Sequence, residues 1–437
     1  MQQLNLQIHH GNVWHDIADL HFLEPEKGIA GRCTLYYDID YIVAHAPEVI
    51  QGAASVRDYR AASVALPLTI EAIQLPNWPA FLLDLIPQGE ARRRIMAELG
   101  YGEDDARGEL PLLLRGAANP IGNLRIREAA EAEAERLVRD PPLGLDEADI
   151  FSRSPRFTSI ADTFAYFSAG SSGVQGEWPK ALMTRRRDSG WYPDAFVALD
   201  DAVECAIFKF LKGNSESDRL ILASEAPYLE IAHRFGLRVA VSLVWQSNTL
   251  KIPRFDRVAG QLLRLGQESL VSACGIAAFG HRGHHEDYVA MLRRVCTEPE
   301  TEIAEYILRD VLNMAAGNPD NHGRNTALQK HLDGSIALTP LFDFNPMILE
   351  ERAMPRSTRW RCLGGDESDP DWRRVINAVA LDEQEAQRLR RLLAGKADFI
   401  ASLPDIARDY DIAPAVIGRA MARHGEIAAS LRRLEID

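Results

Sequence analysis

Asp320-Asn321-His322-Gly323-Arg324-Asn325 is the stretch on which the fold turns, and Asp343-Phe344 stands a short way beyond it. Upstream, Ile303, Tyr306, Ile307, Val311 and Met314 recur at i, i+3 and i+4. That spacing predicts a helix with one apolar stripe, ending at Gly317. Asp320 and Asn325 therefore fall on a loop just past a helix, and Ser335-Ile336-Ala337-Leu338-Thr339 reads as a short strand leading to Asp343. Phosphoryl transfer needs such a set. One carboxylate orients an attacking hydroxyl, while a carboxamide and a second carboxylate hold Mg²⁺ against phosphates. Alone, an Asp and an Asn after a glycine also cap turns, so the surrounding sequence has to decide.

The Asp-x4-Asn spacing is that of the protein-kinase catalytic loop, and Asp343-Phe344 opens like the metal-binding Asp-Phe-Gly motif, with Asn345 in place of its glycine. Lys209 lies inside the apolar run Ala206-Ile207-Phe208-Lys209-Phe210, where a buried ammonium is costly without partners. A nucleotide phosphate and a helix carboxylate would satisfy it, and Glu225 is the natural carboxylate. The plainer reading is a strand-edge lysine reaching water. Gly170-Ser171-Ser172-Gly173-Val174-Gln175-Gly176 is a small-residue loop whose backbone N–H groups can approach phosphate oxygens closely.

The bulk properties of the 437 residues limit the alternatives. Composition is that of a globular protein, 46% apolar and 26% charged, which predicts two or three packed units. No apolar run approaches the ~20 residues that span a bilayer, and Met1-Gln2-Gln3-Leu4-Asn5 has no signal-peptide character. Five scattered cysteines without a CxxC pair read as reduced thiols, so the cytoplasm is the expected compartment and no membrane partner is expected. The net charge of -14 argues against wholesale wrapping of nucleic acid. Arg185-Arg186-Arg187, before Asp188-Ser189-Gly190, reads as a solvated hairpin turn. His281, His284 and His285 with Glu286 read as a surface loop rather than a metal cluster.

Three regions emerge, with boundaries at 1–140, 141–257 and 258–437. Alternation from about 30 to 43 (Cys33, Leu35, Tyr37, Ile39, Tyr41, Val43) predicts a half-buried strand, and Glu90 to Leu99 a helix stopped by Gly100. Glu128 to Arg139 reads as an exposed helix or linker. The region from 155 to 257 reads as strand-rich, interrupted by a helix over Ser217 to Phe235 that Gly236 closes. Beyond 258 the pattern is helical, with late helices at about 382–397 and 413–434.

Taken in order, several segments resemble the HipA-type serine/threonine kinases, the toxins of bacterial toxin–antitoxin pairs. They are Gly170-Ser171-Ser172-Gly173 with Gln175 and Pro179-Lys180, then Ile207-Phe208-Lys209-Phe210, Arg254-Phe255-Asp256-Arg257 and Leu263-Arg264-Leu265-Gly266-Gln267-Glu268. Asp320 through Asn325 and Leu338-Thr339-Pro340-Leu341-Phe342-Asp343 follow. Leu85-Ile86-Pro87-Gln88-Gly89-Glu90-Ala91-Arg92 and Pro120-Ile121-Gly122-Asn123-Leu124-Arg125 look like the family's N-terminal subdomain.

The resemblance implies an α+β, bilobal protein-kinase-like fold. It would have a β-rich nucleotide lobe, a mainly α-helical C-terminal lobe and a small N-terminal subdomain. It implies Asp320 as the catalytic aspartate, Asn325 and Asp343 as Mg²⁺ ligands, and Lys209 on the α/β phosphates of ATP. The backbone from Ile252 through Arg254 to Phe255 would take adenine, Gln267 would line the nucleotide pocket, and Ser171 or Ser172 would be autophosphorylated. Two departures stand out. Gly176-Glu177-Trp178 lengthens the glycine loop, and Pro253 replaces the glutamate that the best-known members carry at the hinge. The implied partners are a DNA-binding helix-turn-helix antitoxin, with DNA reached only through it, and a protein substrate such as an aminoacyl-tRNA synthetase. Two other readings stay open: a small-molecule phosphotransferase, and a non-catalytic kinase-like co-repressor.

Overall fold

Two long antiparallel strands, Gln2–His10 and Val13–Phe22, open the chain. They are joined by Gly11-Asn12, both at positive φ (56° and 70°), the backbone that lets a tight hairpin follow the twist of its strands. Leu4, Leu6 and Ile8 alternate into the core, a period-two signal that was present in the sequence but was given no role above. The structure is a computed structural model describing residues 1–139, 141–164, 178–240, 242–258, 263–352 and 354–435. It forms two units, one of residues 1–212, 243–279 and 327–336, the other of 213–242, 280–326 and 337–437.

In the first unit the hairpin sits in a five-stranded sheet ordered Ile73–Leu75, Cys33–Tyr37, Val13–Phe22, Gln2–His10, Leu124–Ile126. Leu110, Leu112 and Leu113 of the helix Glu109–Gly116 belong to the core that this sheet covers. The single strand expected from 30 to 43 is not observed. It stops at Tyr37, because Asp38 turns the chain by accepting the Tyr41 N–H at 2.7 Å and capping a helix, Ile39–His45. A local cap overrode the alternation: within the helix Ile39 and Val43 are exposed, and the buried residues are Tyr41 and Ile42.

A second five-stranded sheet follows in the same unit, ordered Trp191–Pro193, Lys180–Arg186, Ala202–Phe210, Thr249–Pro253, Val244–Gln246. Phe208, Phe210 and Trp191 point from it into a core shared with Phe151 and Phe157. Phe157 comes from a helix, Pro155–Phe164, so the region read as strand-rich from 155 begins helically. The basic run is not a turn as a whole: Arg185 and Arg186 end the strand Lys180–Arg186, only Arg187 enters the turn, and all three meet acceptors at residues 200–204. Arg185 pairs with Glu204 at 3.1 Å, Arg186 with Asp201 at 2.6 Å, and Arg187 donates to the Asp200 carbonyl.

A buried ionic cluster ties the first sheet's neighbourhood to the end of the Thr249–Pro253 strand. Asp256 accepts from Arg254 at 2.6 and 2.9 Å, from Arg257 at 2.5 Å and from the Gly122 N–H at 2.8 Å. Arg257 also donates to the carbonyls of Pro120 and Gly122, and Arg254 to Asp194. Burial alone would raise the Asp256 carboxyl, but the Arg254 and Arg257 guanidiniums outweigh it and hold the group below the usual carboxylate range.

The second unit is helical. The helix expected over 217–235 is Glu216–Phe235, begun by Ser215, whose hydroxyl accepts from the Asp218 N–H, and ended by Gly236 at φ 101°. The patterned helix is Pro299–Ala315, with Gly317 at φ 69°. The helix expected over 413–434 is two, Pro414–Ala420 and His424–Arg432, broken at 421–423. Among the described residues no helix is long and apolar enough to cross a membrane.

Candidate active site

Residues 317–326 leave the helix Pro299–Ala315 and are closed by their own side chains. The Asp320 N–H donates to Asn318 Oδ1 at 3.2 Å, and the Asn325 N–H donates to the His322 carbonyl at 2.8 Å. Asn318 Nδ2 donates to Asn313 Oδ1 at 2.9 Å, which anchors the turn to the helix. His322 Nε2 lies 3.4 Å from Asp320 Oδ1. Gly323 has to be glycine, because a Cβ there would stand 2.2 Å from the Tyr288 hydroxyl and 2.4 Å from its ring carbon.

Asp320, Asn325 and Asp343 line one pocket of the second unit, together with Asn318, Phe342 and Phe344. Asn325 Nδ2 donates to the Asp320 carbonyl at 2.9 Å, while its Oδ1 is buried without a hydrogen-bond partner among the described residues. An unsatisfied buried oxygen of this kind calls for a partner. A hard cation such as Mg²⁺ takes oxygen ligands, so the Asp343 carboxylate and this carboxamide oxygen are donors that fit it.

Asp343 is held at φ 54°, a left-handed conformation that costs a non-glycine residue about 1 kcal/mol. Such strain persists where the surroundings over-determine it. They do so here. Leu338 N donates to Glu302, Leu341 N to the Arg238 carbonyl, and Arg309 donates to the Thr339 carbonyl at 2.7 Å. Past the strained residue, Phe344 packs against Tyr228 at 5.2 Å between ring centroids, and Asn345 Nδ2 donates to Glu225 Oε2 at 3.2 Å. Asn345, which stands where the kinase motif has glycine, thus links the Asp343 turn to the helix Glu216–Phe235. No sequence signal could have paired residues so far apart.

Lys209 belongs to the first unit and is buried in the strand Ala202–Phe210. Directly opposite it in register is Lys180, also buried, so two ammonium groups share one face of the sheet. Trp178 lies 5.9 Å from the Lys209 ammonium and 5.4 Å from that of Lys212. Ile252 pairs with Ile207, Phe255 O accepts from Gln329, and Gln267 pairs with Gln329. The Arg254 side chain is committed to Asp194 and Asp256 and its N–H donates to the Cys205 carbonyl at 2.9 Å, so only its carbonyl is left for a nucleotide. Gly170, Ser171, Ser172, Gly173, Gln175 and Gly176 lie outside the described residues.

A model of the HipA-like C-terminal domain matches residues 172–398, just over half of the chain. The chain belongs to the HipA-like family. A relative from Sinorhizobium fredii, whose name reads "Putative kinase Y4mE", is 26% identical over 392 residues, 82% of this chain and 88% of that one. Among solved structures, Shewanella oneidensis HipA, from a toxin–antitoxin complex with HipB and operator DNA, matches at a TM-score of 0.58 and 14% identity. The match covers 98% of this chain and 97% of that one, so the likeness of fold includes the first thirty residues, which had no assignment from sequence. The expected class, an α+β kinase-like fold that is sheet-rich first and helical later, is the fold found.

One histidine of 281–286 departs from expectation, while His284 is exposed as expected. His285 is no surface residue. It is buried, its Nδ1 meets the Tyr306 hydroxyl at 2.7 Å, and its ring stacks on Trp360 at 4.5 Å. Among the described residues no group of three or more His, Cys, Asp or Glu side chains is placed to hold a metal. Burial, with Arg356 adding to it against the opposing Asp310, pulls the His285 imidazole down to about 4. Below its ordinary value near 6.5 the unfolded chain takes up a proton that the folded site refuses. The contribution to stability is therefore intact above about pH 6.5 and falls as pH drops towards about 4. Thermal midpoints at pH 7 and pH 5 should separate less in His285→Phe than in the wild type. An equal drop in both proteins would place the sensitivity elsewhere.

Proposed function

We propose that this chain is an ATP- and Mg²⁺-dependent protein kinase that phosphorylates serine or threonine, acting as the toxin of a toxin–antitoxin pair. The observation that carries the reading is the Asn325 carboxamide oxygen, buried and unsatisfied in a pocket that Asp320 and Asp343 also line. Asp320 would accept the proton of the attacking hydroxyl and fix its direction. Asn325 and Asp343 would hold Mg²⁺, and Asn325 is kept in orientation by its bond to the Asp320 carbonyl. When bound, the ion neutralises charge on the transferring phosphoryl group. Lys209, with Lys180 beside it, would meet phosphate oxygens, since two buried ammonium groups on one face favour an anion. The backbone of Ile252, Arg254 and Phe255 and the side chain of Gln267 would serve the base. The strained Asp343 and the Glu225–Asn345 bond support a working metal loop rather than a degenerate one.

The partner proposed is a small DNA-binding antitoxin, after the Shewanella HipA structure, which contains HipB and operator DNA. The proposed acceptors are a translation component and, in cis, Ser171 or Ser172. The division into a subdomain of residues 1–140, a nucleotide lobe of 141–257 and a catalytic lobe of 258–437 is part of the same proposal. Incubation with γ-labelled ATP and Mg²⁺ tests it. The wild type should label itself at Ser171 or Ser172, and Asp320→Ala should not. A wild type that transfers no label, or an Asp320→Ala variant that labels at the wild-type rate, would overturn it.

A further inference from the structure

None of these roles uses Asn321, although it adjoins Asp320. The turn closes without it, through Asn318, His322 and Asn325. Its carboxamide is directed instead at a segment of the same unit 36 residues on. Nδ2 donates to the Thr358 carbonyl at 2.8 Å, and Oδ1 accepts the N–H groups of Ser357 at 3.1 Å and Thr358 at 3.2 Å. One side chain thus satisfies three backbone groups of a loop that lacks regular partners.

The same segment is held from its other side. Arg356 donates to Asp310 at 2.5 Å and to Glu367 at 2.9 Å. The Trp360 indole N–H donates to Asp310 at 2.9 Å, and its backbone N–H to Glu367 at 2.9 Å. His285 stacks on the Trp360 ring and its N–H donates to the Arg359 carbonyl at 3.1 Å. Asp310 and His285 line the pocket that contains Asp320. Residues 356–360 are therefore clamped between the pocket's far wall and the residue that follows Asp320.

We propose that Asn321 is a positioning residue. It transmits the docking of residues 356–360 to the Asp320 turn, so that the direction of the Asp320 carboxylate depends on that docking. The inference rests on the phosphoryl-transfer reading. Because Asn321 and Asp320 share a peptide bond, releasing the three hydrogen bonds lets that peptide rotate and carries the carboxylate off its line. A misplacement of about 1 Å costs ~100-fold in rate. Binding of ATP, which Asn321 does not touch in this scheme, should be spared.

The test measures release of labelled phosphate from γ-labelled ATP with Mg²⁺ and water as acceptor, on the full chain. The proteins are the wild type, Asn321→Ala, Trp360→Phe and the double variant. Expected is a fall in kcat of about 100-fold for Asn321→Ala, with KM for ATP near wild type and a lower thermal midpoint, since three backbone groups lose their partner. Trp360→Phe, which loosens the segment from its other side, should lower kcat by itself. The double variant should lose little beyond Asn321→Ala, because both act through one element. Additive losses would overturn the proposal, as would KM for ATP rising in step with the fall in kcat. A wild type that neither labels itself nor releases phosphate overturns the phosphoryl-transfer reading and this inference with it. For one that labels itself without hydrolysis, the self-labelling rate takes the place of phosphate release in the same comparison. An active wild type matched by Asn321→Ala overturns the inference alone.

Discussion

Asp343→Asn is expected to lose Mg²⁺-dependent phosphoryl transfer by about a thousandfold or more while the protein stays as stable as before. The size follows from removing a charged ligand of the metal, whose stabilisation of transition-state charge is worth several kcal/mol, at about 1.4 kcal/mol per decade. The separation from stability follows from the backbone. Asp343 sits at φ 54°, and asparagine enters that region as readily as aspartate, so the variant changes charge and little else. Asp343→Gly sharpens the point. Glycine pays no steric penalty there, so this variant should be equally inactive but gain up to about 1 kcal/mol in the turn, less what the longer reach of its unfolded chain removes. Activity assays with parallel thermal melts check both. A stable, fully active Asp343→Asn would remove this residue from the metal site.

Asp256→Ala is expected to destabilise the first unit by about 3–5 kcal/mol, the usual consequence of removing one partner from a buried charge pair. Arg254 and Arg257 have guanidiniums with no exposed surface, and the carboxylate they share also accepts the Gly122 N–H. Truncation leaves those donors without their acceptor in a dry site. Because the folded carboxyl is held below its ordinary value, its contribution is present above about pH 3.9 and is lost as pH falls through the lower, folded value. Chemical denaturation of Asp256→Ala beside the wild type, followed by tryptophan fluorescence, reads the effect. A loss under 1 kcal/mol would mean that the cluster is wet or rearranges. The expected loss would instead mean that the motif Arg254-Phe255-Asp256-Arg257 acts through architecture rather than by touching a nucleotide with its arginines.

Local chemistry is what sequence displayed well. Ser215 and Gly236 bracket the helix Glu216–Phe235 as caps should, because each acts within one turn of its own position. The Asp320–Asn325 loop was legible for the same reason, its closing bonds spanning five residues or fewer. Where two local patterns competed, reading failed. The stretch from 30 to 43 satisfied a strand period, and only the Asp38 side chain on the Tyr41 N–H converts its second half into helix. The first hairpin showed its alternation plainly, yet without a partner strand in view it carried no functional meaning.

By itself, then, the sequence determined the reaction class proposed for this chain and the family to which it belongs, since both depend on residue types at short, ordered spacings. Tertiary structure decided which of those residues are constrained. It seated Asn345 on Glu225, 120 positions away. It set Lys180 against Lys209 and buried His285 against Trp360. It also drew residues 357 and 358 onto Asn321. The reason is physical. A periodicity or a cap is written in neighbours a few residues apart, whereas a contact across the chain exists only once packing has removed water and left each buried polar group to find a partner.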